Sequence, residues 1–387
     1  MGLFGFNKYL PIALELGTRT IRLLQLQHVG DTVRVAAADS WQYPKSLAED
    51  SDERQRAAVE AVRRMLRSGG FKGRRVVTAL SSAQLEIKNV RLPKMPPAQL
   101  DEAVWAEAAE RYDFSVAGNQ LNYLDAGEVR NGNETQREII MMAASAEVID
   151  EHVSMVAGMG LAPEHVDAEP VALFRMYERF LHRRSDDAAV TVAVDVGYTC
   201  TRVVVSRGRD IVFIKAVDIG SGGFTEAVAR HASLDDEEAR DLRKRASCQN
   251  TEGDCAPGEG GGGPERSSVD WTIRDALRSE VEALAREVGL CLRYCSVTFR
   301  GLKPQRINLT GGEACDATFV EMFREHLNME CHVSDPLRGI DSAGVDPGAQ
   351  HGCVSAGWAI CVGLAVRTAG PGEFGEEGDN EQRRLSA

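Results

Sequence analysis

Hydrophobic positions change period along the N-terminal part of the chain, and the changes predict strands and one helix. Apolar and polar residues alternate over residues 12–26 and Thr32–Ser40, the period of half-buried strands. Glu53–Ser68 instead places its apolar residues on one stripe at helical spacing, and two glycines end it. Arg75–Leu80 returns to a short strand. The predicted order is β-β-β-α-β.

Residues 85–159 have a different pattern of prolines and apolar residues, which predicts a small α/β unit of its own. Prolines follow its first strand, and a helix rich in Ala and Glu comes next. We therefore expect an inserted α/β subdomain over residues 85–159. The flanking residues 10–84 and 160–185 are then the two parts of a first lobe. The predicted elements are the strands Gln84–Leu92, Gln120–Asp125 and Glu138–Ala144 and the helices Ala98–Arg111 and Ala146–Gly158.

The second half begins with another strand hairpin, so we expect a second lobe over residues 188–366. Its clearest element is a long helix, Trp271–Val297, with apolar residues at helical spacing. Residues 247–268 hold a run of glycines between prolines and predict a flexible insertion. The Gly- and Glu-rich residues 367–387 predict a disordered acidic tail.

Composition excludes several classes of function. The formal net charge of −13 argues against an extended nucleic-acid surface. The nine cysteines form no CxxC pair and no disulfide-type spacing, which favours reduced thiols in a cytosolic protein. No apolar run is long enough for a membrane span, and no signal peptide is expected.

Two strand hairpins, Ile12–Leu24 and Val192–Val205, carry the chemistry that suggests a ligand. Each reads as strand, acidic residue, turn with glycine and hydroxyls, strand. A turn glycine lets backbone N–H groups approach a phosphate, and a carboxylate can reach Mg²⁺ through water. Two such hairpins suggest related lobes that face one phosphate chain. The candidate residues are Glu15, Gly17, Thr18, Thr20 and Arg22 in the first hairpin and Asp195, Gly197, Thr199 and Thr201 in the second.

Two further glycine-rich segments are candidate parts of the same site. Gly311-Gly312 follow a predicted strand and precede Glu313, and paired glycines allow a base and ribose to lie against bare backbone. The segment that contains Gly220, Gly222 and Gly223 precedes a helix but lacks the Lys-Ser/Thr ending of a P-loop. A tight turn before a helix is an equally good interpretation of that segment.

The order of these pieces resembles the actin-like ATPase superfamily, and several segments resemble its PilM family of type IV pilus assembly proteins. The resemblance runs from about residue 10 to residue 366. It is carried by Arg91–Pro96 with Leu100–Ala108, by Gly160–Pro163, by Asp167–Leu173 and by Asp218–Thr225. It implies an actin-like α/β fold with two related lobes around a nucleotide cleft. It also implies ATP and Mg²⁺ as ligands, the metal being held through water at Glu15 and Asp195.

The resemblance further implies a cytoplasmic scaffold at the inner membrane. Its partner would be the short cytoplasmic N-terminus of a PilN-like inner-membrane protein, bound in a groove between the first lobe and the inserted subdomain. Other components of the pilus machinery would be reached through that complex. A peptide of this kind fits a groove beside a sheet edge or between helices.

The chain departs from the family pattern at the phosphate turns. Glu15 replaces the usual Asp, and Arg22 stands where Lys is usual; neither pair is equivalent at a phosphate or metal. Tyr198 and Cys200 are larger than the residues common in the second turn. We therefore expect nucleotide binding with slow hydrolysis at most. Glu169 is a candidate to polarise water, although a helix-capping role explains it as well.

Three alternatives remain at this stage. A small-molecule kinase of the same superfamily needs a catalytic Asp in a substrate pocket, and no convincing candidate is present. An FtsA-like filament former is expected to end in a basic amphipathic helix, whereas residues 374–381 are acidic. A nucleotide-free interaction module would have kept the fold and lost the ligand, and Glu15 is the best argument for it.

Overall fold

A computed structural model describes residues 8–30, 32–48, 51–131, 134–181, 183–252, 264–299, 301–345 and 355–369. The first half contains β1 (Lys8–Tyr9), β2 (Ile12–Leu16), β3 (Thr20–Val29), β4 (Thr32–Gln42), α1 (Asp52–Ser68), β5 (Arg75–Leu80), β6 (Glu86–Pro93), α2 (Pro97–Arg111), β7 (Leu121–Asn131), β8 (Glu134–Ala143), α3 (Ala146–Gly158), β9 (Ala162–Ala168) and α4 (Glu169–Glu178). The second half contains β10 (Val190–Val196), β11 (Thr201–Arg207), β12 (Asp210–Val217), α5 (Ser221–Ala232), α6 (Asp236–Glu252), α7 (Pro264–Thr298), β13 (Arg306–Gly311), α8 (Ala317–Leu327), β14 (Glu330–Val333) and α9 (Ala359–Ala365).

The two halves form two sheets with the same topology. The first sheet has the order β4-β3-β2-β5-β9, with β1 also paired to β3, and the second has the order β12-β11-β10-β13-β14. In both, the first three strands of the series form an antiparallel meander and the last two are added in parallel. The central strands β2 and β10 are almost fully buried, which explains their nearly continuous apolar sequence. The prediction of two related lobes is confirmed.

Helices complete the repeat on both sides. Helix α3 leads into β9 as α8 leads into β14, and α4 and α9 each follow the last strand of their lobe. The predicted apolar stripe of α7 is buried in the core of the second lobe, as expected for an amphipathic helix. The stripe consists of Ile273, Leu277, Val281, Leu284, Val288 and Leu292.

The inserted unit is a three-stranded sheet, β6-β8-β7, covered on one face by α2. Ile139, Met141 and Ala143 of β8 pack under α2, whereas Ile140 and Met142 point to the other face and join the large core that contains the second lobe. Because side chains alternate along β8, one face of the inserted sheet packs against α2 and the other against the large core. Its contacts with β12 and, through Tyr294, with α7 of the second lobe were not foreseen from the sequence.

Helix α3 lies outside this inserted unit. The sequence boundary at residue 159 would include it, but its buried Val156 and the following Met159 pack with Val62 and Met65 of α1. This is the place that the repeat gives to α8 in the second lobe. The structural insertion is therefore β6 to β8.

The lobes meet where α4 crosses α9. A Cβ on Gly363 would overlap the carbonyl oxygen of Ala172, so the two helix backbones approach as closely as only glycine permits. Arg175 Nη1 donates to the carbonyl oxygen of Gly363 at 3.1 Å beside this crossing. Glu169, at the start of α4, and Gly357, just before α9, both line the cleft described below.

Two sequence predictions fall partly outside the described residues. The ends of the segment 247–268 lie in α6 and α7, while residues 253–263 are not described. Of the tail 367–387, only residues 367–369 are described. No helix in the described ranges is both long and apolar enough to span a membrane.

Candidate functional site

The two hairpin turns face each other across a cleft between the lobes. One turn joins β2 to β3 and the other joins β10 to β11, so each leaves the central strand of its sheet. Both turns line the cleft, together with Glu169 and Gly311-Gly312. The cleft encloses about 680 Å³, including the part open to solvent.

The first turn is closed by a short backbone bond. Gly17 N donates to the carbonyl oxygen of Thr20 at 3.1 Å, and a Cβ on Gly17 would lie 2.8 Å from that oxygen. Glu15 and Arg22 are cross-strand partners, and Arg22 Nη1 donates to Glu15 Oε1 at 2.8 Å. The turn therefore leaves no room for a side chain at Gly17, and Arg22 neutralises the carboxylate of Glu15.

The second turn repeats this geometry. Gly197 N donates to the carbonyl oxygen of Cys200 at 3.0 Å, and a Cβ on Gly197 would lie 2.8 Å from that oxygen. Asp195 and Arg202 are cross-strand partners, and Arg202 Nη1 donates to Asp195 Oδ2 at 3.2 Å. Thr310 on the neighbouring β13 donates to Asp195 Oδ1 at 3.1 Å.

Hydroxyl groups from the two turns meet across the cleft. Thr18 Oγ1 and Thr199 Oγ1 are 3.1 Å apart, within hydrogen-bond distance. Thr20 lines the same wall as Thr18. The structure thus brings the predicted threonines of both lobes to one point.

Arg202 is the most strongly bonded of the cleft residues that the sequence analysis missed. Besides Asp195, it binds Glu169 through Nε at 2.7 Å and through Nη2 at 2.5 Å. Burial alone would lower the pKa of Arg202, but the carboxylates of Glu169 and Asp195 raise it above its ordinary value. Arg202 follows Asp195 by seven positions, as Arg22 follows Glu15, and this repeat was the available clue.

Glu169 is held rather than free. Its Oε2 accepts from Arg202 and, at 3.2 Å, from the backbone N–H of Ser82. It begins α4, with Pro170 next in the helix, which suits a carboxylate at a helix N-terminus. Burial raises its pKa, and the charge of Arg202 opposes that rise. This geometry favours a role in positioning Arg202.

Glu15 is an unusual carboxyl group. Burial, helped by the charges of Asp195 and Glu169, raises its pKa to about 7 although Arg22 opposes the rise. Its second oxygen, Oε2, is buried without a hydrogen-bond partner. A buried polar atom without a partner is costly unless a ligand satisfies it.

The carboxylates fit a resident Mg²⁺ poorly. Both oxygens of Asp195 already accept hydrogen bonds, and one oxygen of Glu15 accepts from Arg22. Across the described ranges, no group of three or more His, Cys, Asp or Glu residues is arranged to hold a metal ion. Each of these two carboxylates is therefore bonded to an arginine that also lines the cleft.

The two glycines after β13 have different surroundings. Gly311 has φ +91°, and a Cβ on it would overlap the carbonyl oxygen of Val196, so it fixes the join between β13 and β10. A Cβ on Gly312 would meet no heavy atom within 4 Å, and Gly312 lines open space in the cleft. Glu313 is buried and paired with Arg243, which also donates to Asp316 at 2.8 Å.

Three of the four other predicted residues, Thr201, Gly220 and Gly222, pack behind the second turn. Thr201 donates its hydroxyl proton to the carbonyl oxygen of Ile219 at 2.7 Å. A Cβ on Gly220 would overlap Tyr198, and one on Gly222 would lie 3.1 Å from the Tyr198 carbonyl oxygen. Gly223 lies nearest Glu280 of α7. Ser221, between these glycines, is the residue of this segment that lines the cleft.

Comparison with known proteins agrees with this architecture. The model of the family described as type IV pilus assembly protein PilM matches residues 13–252. A solved PilM-PilN type IV pilus biogenesis complex is 22% identical, with a TM-score of 0.72 over 93% of this chain and 99% of that one. Ethanolamine utilization protein EutJ from Carboxydothermus hydrogenoformans is 17% identical, with a TM-score of 0.51 over 95% and 90% of the two chains. The search of curated proteins gives no match.

The family match covers more than half of the chain, and the likeness to the solved structures extends the fold to nearly all of it. Both agree with the repeated sheets and the facing turns. The chain therefore belongs to the type IV pilus assembly protein PilM family and has its actin-like α/β fold.

Proposed function

We propose that the cleft binds ATP and that the protein is a nucleotide-dependent scaffold of type IV pilus assembly. The observation that carries the proposal is the meeting of the two turns at Thr18 and Thr199. Turn N–H groups and hydroxyls from two lobes are suited to one phosphate chain. Arg22 and Arg202 add positive charge beside it, and open space at Gly312 would accept the adenosine.

The same contact suggests how occupancy would change the molecule. The Thr18–Thr199 hydrogen bond and a phosphate would compete for the same hydroxyl groups. A nucleotide would therefore favour one separation of the lobes, by its differential affinity for the two arrangements. Because Asp195 and Glu169 are engaged by Arg202, we expect hydrolysis to be slow or absent.

Titration calorimetry with ATP and ADP tests nucleotide binding directly. Gly312→Val would fill the open space at the cleft and should weaken binding at least about tenfold, or 1.4 kcal/mol. Gly158→Val is the matched control, because Gly158 also has free space around it but ends the distant helix α3. Failure of the unchanged protein to bind either nucleotide would favour the nucleotide-free interaction module.

The proposed partner is the cytoplasmic N-terminal peptide of a PilN-like inner-membrane protein. The support is family membership and the likeness to the PilM-PilN complex. The peptide would dock in a groove beside the inserted sheet and hold the protein at the cytoplasmic face of the inner membrane. A peptide with the partner's sequence should bind, and a scrambled peptide should not.

Coupling between the two sites needs a separate measurement. Peptide affinity is measured with and without ATP, in the unchanged protein and in Gly312→Val. We expect ATP to change peptide affinity only where ATP binds, because linkage is reciprocal. Equal peptide affinity in all four conditions would remove the scaffold's dependence on nucleotide while leaving the partner intact.

A further inference from the structure

We infer that nucleotide binding in this cleft does not require a divalent cation, because Arg22 and Arg202 take the place of a metal beside the two turn carboxylates. The inference rests on the proposed nucleotide site. Its starting point is the exact repetition of an acid and an arginine in the two turns. Glu15–Arg22 and Asp195–Arg202 have the same sequence spacing, the same cross-strand register and the same type of ion pair.

The arginines occupy one oxygen of each of the three carboxylates that line the cleft. Arg22 holds Glu15 Oε1, and Arg202 holds Asp195 Oδ2 and Glu169 Oε2. The guanidinium of Arg202 is fixed through Nε and both terminal nitrogens, so it cannot turn aside without leaving buried carboxylates unpaired. Glu15 Oε2 is left without a partner, but the same carboxylate is held through Oε1 by Arg22, so a metal approaching it would lie beside a guanidinium.

The arginines also supply the charge that a metal would bring. Three carboxylates and three guanidinium groups line the cleft, the third being Arg19. A polyphosphate that enters this balanced cleft therefore meets no net negative field from its lining. Guanidinium groups bind phosphate oxygens in a planar, bidentate manner and need no metal to bridge them.

Equilibrium binding of ATP and ADP, in excess EDTA and in excess Mg²⁺, tests the inference. In the unchanged protein we expect the two dissociation constants to agree within about threefold. Arg202→Ser removes the positive charge from Asp195 and Glu169 and should weaken binding in EDTA by about tenfold or more, with partial recovery in Mg²⁺. Arg209→Ser is the matched control, because Arg209 is exposed on the same lobe and bonds a backbone carbonyl away from the cleft.

The outcomes separate the two proposals. Binding by the unchanged protein only in Mg²⁺ overturns this inference and leaves the proposed function standing. Absence of binding in both buffers overturns the proposed function and the inference with it. Mn²⁺ substituted for Mg²⁺ gives a second readout that needs no variant, since its electron paramagnetic resonance spectrum reports immobilisation. A protein-held Mn²⁺ at one ion per site overturns the inference even if Arg202→Ser does not fold.

Discussion

At the scale of single residues, Gly311 and Gly312 are adjacent but should behave oppositely. Gly311→Ala puts a side chain at φ +91° and against the carbonyl oxygen of Val196, which should cost about 3 kcal/mol or more of unfolding free energy. Gly312→Ala meets open space and should change stability by less than about 0.5 kcal/mol. Chemical denaturation of both variants measures the difference. Equal losses would mean that the backbone at Gly311 relaxes.

His152 should make stability depend on pH. It is buried on α3, with Nε2 3.1 Å from Thr78 Oγ1, and burial lowers its pKa from 6.5 to about 4. The unfolded chain therefore takes up the proton first as the pH falls. The stability that neutral His152 contributes is complete above pH 6.5 and is lost between pH 6.5 and 4, by about 1.4 kcal/mol per pH unit.

The variant His152→Gln keeps a polar partner for Thr78 and removes the titration. Unfolding free energies of both proteins are compared across the same pH range. The unchanged protein should lose about 3 kcal/mol relative to the variant between pH 7 and pH 4. A difference that does not change with pH would show that the pKa of His152 is the same in the folded and the unfolded chain.

The site could be predicted from the sequence as far as its turns, and less well beyond them. An acid, a glycine and hydroxyls lie close together in each hairpin, so their proximity follows from local sequence alone. The pairing of Arg202 with Glu169 joins distant parts of the chain and depends on how α4 lies against β11. Thr201 was predicted for the cleft. Side chains alternate between the two faces of β11, and that of Thr201 points to the buried face.

At the scale of elements, a hydrogen bond to the buried carboxylate of Glu138 links the inserted sheet to α7. Glu138 of β8 is buried and accepts from Arg91 Nε of β6 at 2.8 Å and from the hydroxyl of Tyr294 of α7 at 3.1 Å. The Tyr294 ring also packs 5.5 Å from that of Phe213 in β12. A charged acceptor makes such a bond stronger than a neutral one.

Tyr294→Phe should therefore lower the unfolding free energy by about 1 kcal/mol. Tyr123→Phe is the control, because Tyr123 bonds Asp101 on the exposed side of the same sheet, and it should cost less than about 0.5 kcal/mol. In a Glu138→Leu background the cost of Tyr294→Phe should vanish. Persistence of that cost would assign it to ring packing instead of the hydrogen bond.

Helices and strands with a strong hydrophobic period could be predicted from the sequence. The lobe in which each of them packs could not. The stripe of α7 and the succession of strands and helix at the start of the first lobe follow from hydrophobic spacing. Helix α3 follows the inserted strands directly, so sequence order placed it with them. Only its packing against α1 shows that it belongs to the first lobe. The contact of β7 with β12 joins distant segments through one face of a strand and leaves little mark in sequence.

At the scale of the whole molecule, one ligand should protect two distant segments together. The amides of Gly17 and Gly197 close the two turns and report on each of them. Saturating ATP should slow hydrogen exchange in residues 17–20 and 197–200 in parallel, since both would contact the phosphates. Mass-spectrometric hydrogen exchange measures this. Protection of one turn alone would place the nucleotide on a single lobe.

The close crossing of α4 and α9 at Gly363 is suited to act as a hinge between the two lobes. Backbones in such close contact can rotate past one another but cannot shorten their separation, because no side chain remains to be rearranged. Both helices start beside the cleft, and their crossing lies within about two turns of helix from it. A change in the angle between α4 and α9 would therefore change the separation of the two turns that line the cleft.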